Sequence, residues 1–100
     1  MIQHIVMLQL TKGHDAVELT NIMDGLGALQ IDGFTAFSHG PNHDLEGKTP
    51  DYPYGFICTF DNLDALRRYA DDADHHALGG RLCDLCVGGG DGIMVMDLAV

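Results

Sequence analysis

Residues 2–10, Ile-Gln-His-Ile-Val-Met-Leu-Gln-Leu, are apolar on both parities of a strand. One parity carries Ile2, His4, Val6, Leu8 and Leu10, and the other carries Gln3, Ile5, Met7 and Gln9. Side chains alternate between the two faces of a strand, so this segment needs cover on both sides. That requirement limits the folds open to so short a chain. One hundred residues correspond to one domain over 1–100, with a radius of gyration of about 13 Å when compact.

The later segments supply the rest of a layered fold. Asp15-Ala-Val-Glu18 reads as a capping box, followed by Leu19, Ile22, Met23, Leu26 and Leu29 at helical spacing. Phe34 to His39 reads as a second strand, and 40–53 as a loop rich in Gly, Pro, Asn and Asp. In a third strand, Tyr54, Phe56, Cys58 and Phe60 share one face. Asp61 offers an N-cap to a helix with Leu63, Leu66 and Tyr69. Residues 71–74 read as an acidic turn and 77–87 as a further helical stretch, weakened by Gly79-Gly80. Residues 88–92 form a glycine-rich turn before a last strand, 93–100. Met94, Met96 and Leu98 fall on one face of that strand, Ile93 and Val95 on the other.

The order β-α-β-β-α-β is the ferredoxin-like α+β pattern, a four-stranded antiparallel sheet with helices on one face. The second face then holds Ile5 and Met7 with nothing to cover them. Apolar faces of this kind mark interfaces, so the expected partner is a second copy, sheet against sheet.

Charge and cysteine content narrow the function classes. The formal net charge is −10, with Lys12, Lys48, Arg67, Arg68 and Arg81 as the only basic side chains. Nucleic acid and anionic membranes need a basic stripe, so neither is an expected partner. Cys83-Asp-Leu-Cys86 is a lone CxxC placed late in a helix, where a redox motif would open one, and zinc would need a second ligand pair. No metal and no cofactor are expected. The run Asp71, Asp72, Asp74, His75 and His76 reads as a solvated turn. The glycines at 88–92 lead into a strand, whereas phosphate-binding loops lead into a helix. No apolar run approaches 20 residues and no basic-then-apolar leader is present, so a cytoplasmic location is expected.

Two residues stand out chemically. His75 lies just past a helix carrying Tyr69, and an imidazole titrating near neutrality suits proton abstraction α to a carbonyl. A tyrosine hydroxyl within hydrogen-bond reach would orient it or polarise the carbonyl. The plainer alternative is a helix-end histidine beside a core tyrosine. His4 sits in an apolar row with Val6 and Leu8, and a buried imidazole needs a hydrogen-bond partner. It serves either a pocket or a satisfied core.

The segments Met1-Ile-Gln-His4-Ile-Val, Gly40-Pro41-Asn42, 52–60, 66–76 and the final strand together resemble the stress-responsive A/B barrel (Dabb) family. The resemblance covers nearly the whole chain. It implies a homodimeric α+β barrel with a small cavity between each sheet and its own helices, taking a small apolar ligand. One family member, the plant olivetolic acid cyclase, performs a cofactor-free aldol condensation. Its Tyr-x-x-His-Pro-x-His segment is similar to Tyr69-Ala-Asp-Asp-Ala-Asp-His75, with Asp72 and Ala73 replacing His-Pro. The resemblance implies His75 and Tyr69 as catalytic residues, with His4, Tyr54, Val6, Leu8 and Val95 against a substrate. The change at Asp72 would alter the turn and place a carboxylate near the imidazole. Other family members are binding or structural domains without a known reaction. A related dimeric-barrel family contains cofactor-free monooxygenases, which nothing in these residues singles out.

Overall fold

The computed structural model describes all 100 residues. β1 (Ile2–Leu8), β2 (Phe34–Pro41), β3 (Tyr54–Phe60) and β4 (Ile93–Ala99) form one antiparallel sheet in the order β2-β3-β1-β4. Helices α1 (Ala16–Gly27), α2 (Leu63–Asp71) and α3 (Ala73–Cys83) lie on one side of it. The architecture is the ferredoxin-like one that the element order predicts, with the second helical region divided in two.

Register decides what each face carries. His4 pairs with Cys58 on one side and Asp97 on the other, so these three share the helix-facing side. With them lie Ile2, Val6 and Leu8 of β1 and Phe56 and Phe60 of β3, all buried in one apolar core with Leu19, Ile22, Met23 and Leu26 of α1. The opposite face carries Ile5, Met7, Ile57, Met94, Met96 and Leu98, and no helix covers it. Ile57, Met96 and Leu98 are 37%, 43% and 50% exposed.

Several boundaries differ from the sequence expectation for identifiable reasons. β1 stops at Leu8, and Leu10 makes only a single bridge, to Cys86. Asp15 does cap α1, accepting from the Val17 and Glu18 amides, but Glu18 does not close a capping box. Its carboxylate takes Arg81 of α3 instead, at 2.6 Å. α1 ends at Gly27, leaving Leu29 partly buried beyond it. Asn62 rather than Asp61 caps α2, accepting from the Ala65 amide.

The acidic stretch 71–74 is not a free turn. Asp72 ends α2 and caps α3, which therefore starts four residues before the expected stretch 77–87. β2 contains a bulge between Phe34 and Ala36. The extra residue shifts the alternation, so that Phe34 and Phe37, three apart, both pack against the core.

Gly33 turns the chain into β2 with φ +86°, and a Cβ there would stand 2.6 Å from the Cβ of Ala65. The close approach lets α2 sit against the start of β2. Gly33→Ala combines left-handed strain with that clash and should cost about 1–3 kcal/mol. Urea denaturation measures this. An unchanged midpoint would mean that the α2–β2 approach is not held at Gly33.

Candidate functional site

Tyr69, on the last turn of α2, is 2% exposed and sits at the centre of the helix-facing side. Asp72 then redirects the chain. Its side chain accepts the His75 amide at 2.9 Å, which starts α3 so that His75 returns over Tyr69. The two rings lie 3.9 Å apart between centroids at 32°. They stack and do not hydrogen-bond, which departs from the expected hydroxyl–imidazole pair. The Tyr69 hydroxyl instead accepts from the Cys58 thiol at 3.9 Å. Asp72 likewise gives its carboxylate to the helix amide, not to the imidazole ring.

His4 completes the group, its ring centroid 5.5 Å from that of Tyr69. Its Nδ1 lies 2.6 Å from Asp97 Oδ1, with the His4 side chain 13% exposed and that of Asp97 40% exposed. Nδ1–H donates to this carboxylate, which holds the His4 ring in place. Asp97 is a residue that sequence reasoning missed. The signal was available: it is the single charged residue in the row Ile93, Val95, Asp97, Ala99, just as His4 is the single polar residue in the facing row.

The His75 Nδ1 is buried and has no hydrogen-bond partner. Burial, with the neighbouring His76 and His4, holds its pKa below the ordinary imidazole value, against smaller opposing effects of the Ala70 carbonyl and Asp72. The ring is therefore neutral at physiological pH and able to accept a proton. Burial pushes the Tyr69 hydroxyl well above the usual phenol range and the Cys58 thiol up to about 12. Tyr69 thus keeps its phenolic proton, and Cys58 is an inert core thiol.

The other expected substrate contacts do not join this group. Val6 and Leu8 are 3% and 0% exposed within the packed core. Val95, opposite Val6, is 48% exposed on the edge strand β4. Tyr54 pairs with Leu8 in register and stands at the far end of β3, about 13 Å from Cys58 at strand rise. Its hydroxyl meets His39 Nδ1 at 2.6 Å, and burial raises its pKa.

The surface has three concavities. One of about 330 Å³ lies between the end of α1 and β2, one of about 270 Å³ on the open sheet face, and one of about 510 Å³ between α1 and α3. None is lined by His4, Tyr69 or His75. No three His, Cys, Asp or Glu side chains converge as metal ligands. Cys58, Cys83 and Cys86 are free thiols. No helix is long and apolar enough to cross a membrane.

A four-stranded antiparallel sheet with its helices on one face places the chain among the small ferredoxin-like α+β proteins. Among them the chain belongs to the Stress responsive A/B Barrel Domain (Dabb) family, whose profile matches residues 2–100. It is similar to a dimeric ferredoxin-like protein of unknown function from Jannaschia sp. CCS1, at 45% identity and TM-score 0.86, covering 99% of this chain and 98% of that one. A Dabb family protein with a ferredoxin-like fold from Mesorhizobium loti shares 23% identity at TM-score 0.75, covering 99% and 95%. Hydroxynitrile lyase from Passiflora edulis shares the fold at 13% identity and TM-score 0.80, covering 99% and 92%. No curated protein matches the chain.

The lowered His75 pKa makes stability depend on pH. In the unfolded chain the imidazole takes its proton near 6.5, while in the folded chain it does so only at lower pH. Below about pH 6.5 the unfolded state binds more protons, so stability falls as pH falls, until the folded value is passed. His75→Phe keeps the stacking and should flatten this part of a Tm-against-pH curve between pH 8 and 5. A slope equal to that of the unsubstituted protein would show that His75 is not the titrating group.

Proposed function

We propose that this protein is a homodimeric A/B barrel, formed sheet against sheet, that binds a small apolar carbonyl compound and acts on it as a cofactor-independent lyase or cyclase. The observation that carries the chemical part is the buried His75 Nδ1 without a partner, stacked on Tyr69 and beside the His4–Asp97 pair. Leaving a buried polar atom unpaired costs about 1–3 kcal/mol, and a ligand group that meets it recovers that cost. Apolar surroundings keep His75 neutral and Tyr69 protonated, the states that base catalysis at a carbonyl requires.

In the proposed reaction His75 takes a proton from the carbon α to a carbonyl. The Tyr69 O–H donates to the enolate oxygen, and the His4 ring, fixed by Asp97, flanks the substrate. The enolate carbon then bonds to the carbon of a second carbonyl, and His75 returns its proton to the new alkoxide. Holding both ends of one substrate at this cluster supplies the orientation. Tyr54, at the far end of β3, meets only the distal part of a long substrate. The Passiflora enzyme, a hydroxynitrile lyase, supports the idea that such a frame carries lyase chemistry.

A second reading, a non-catalytic structural or binding domain, is favoured by one observation. No concavity reaches the cluster in the resting structure.

The dimer is supported by the uncharged open face and by the dimeric Jannaschia relative. Sedimentation should give twice the 10.8 kDa chain mass, and Met96→Lys, which puts a charge into that face, should give a monomer. A Met96→Lys protein that stays dimeric would place the interface elsewhere. For the chemistry, a linear triketide or tetraketide thioester should be cyclised by the protein and not by His75→Ala, with the dimer mass retained. Full turnover by that variant excludes His75 as the base, and no turnover by the unsubstituted protein leaves the second reading.

A further inference from the structure

We propose that residues 73–80, the first eight residues of α3, form a lid that carries His75 over Tyr69 and swings open into the groove between α1 and α3. This rests on the proposed site, which is closed in the resting structure, so a ligand reaches it only if an element moves.

Of the three helices, α3 buries the fewest side chains. Its one buried residue is Leu82, near its C-terminal end, whereas α1 buries Leu19, Ile22, Met23 and Leu26. Segments with few buried apolar groups open locally at low free energy. Gly79 and Gly80 occupy the middle of α3, and a Cβ built at either meets nothing within 4 Å. Packing therefore does not require glycine there, and the pair weakens the helix at the inner end of the lid. The outer end turns at Asp72, an extended residue with ψ 130° between two helices.

Beyond the Tyr69–His75 ring contact and the Asp72 cap, the lid has two latches. Leu78 rests against Gly25 of α1, where a built Cβ would lie 2.9 Å from Leu78 Cδ2. His76 Nε2 reaches the Ala70 carbonyl on the exposed side. The Arg81–Glu18 pair stays with the anchored end. The groove of about 510 Å³ beside Leu78 gives the moving segment room.

Hydrogen exchange of the free dimer tests this. Amides of residues 77–80 should exchange at least about tenfold faster than those of 22–26. Gly79→Ala with Gly80→Ala should slow them by about 5-fold per substitution. The rate at which diethyl pyrocarbonate modifies His75, read by peptide mass spectrometry, should fall by the same factor. Exchange in α3 as slow as in α1, or His75 modification unchanged in the double variant, would overturn the lid. Neither readout uses a ligand, so failure to turn over a polyketide thioester bears on the proposed function alone.

Discussion

One buried ring, that of Tyr69, meets every layer of this protein. It packs on Phe60 of β3 with centroids 5.1 Å apart, on Phe34 of β2 at 5.9 Å, on His4 of β1 at 5.5 Å and on His75 of α3 at 3.9 Å. A large side chain so placed contributes about 1.5–3 kcal/mol of burial and fixes the spacing between helices and sheet. Two of its four neighbours are imidazoles, polar groups in an otherwise apolar core. His4 resolves the conflict through Asp97, and His75 does not resolve it within its own chain. The same contact that holds the layers together thus leaves one polar atom without a partner.

The regular parts of the fold were legible because they obey a single period. Alternation along Ile2–Leu8 and Tyr54–Phe60 marks the two central strands, and Leu19, Ile22, Met23 and Leu26 mark α1. The deviations are places where a distant partner outweighs a local rule. Glu18 turns from its own helix terminus to Arg81, 63 residues away. The Gly79-Gly80 pair disfavours helix locally, yet the Asp72 cap and the seating of Leu82 carry α3 through it. The β2 bulge is invisible to alternation because it interrupts it.

The candidate site was legible in part. The positions of Tyr69, His75 and His4 in their elements place them on one side of the sheet, and the structure brings them together. Stacking instead of hydrogen bonding follows from how Asp72 sets the first turn of α3, which depends on backbone geometry and not on spacing. Asp97 required the pairing of β1 with β4, and no single segment contains that information. Tyr54 shares the parity of Cys58 but not its place along the strand, so the same face does not mean the same site. Charge also separates the surfaces. Arg67, Arg68 and Arg81 are engaged with Asp64, the Asp32 carbonyl and Glu18, while the open face of β1, β3 and β4 carries no charged side chain.

In β4, Asp97 stands between Met96 and Leu98, facing His4 while its neighbours face away. Side chains on a strand exchange sides with every one-residue shift. Deleting or inserting one residue within β4 would therefore expel the carboxylate from beneath the helices and turn a thioether or an isobutyl group toward His4. Descendants of this chain can change that strand by substitution, or in steps of two residues. Its length is a reading frame in three dimensions.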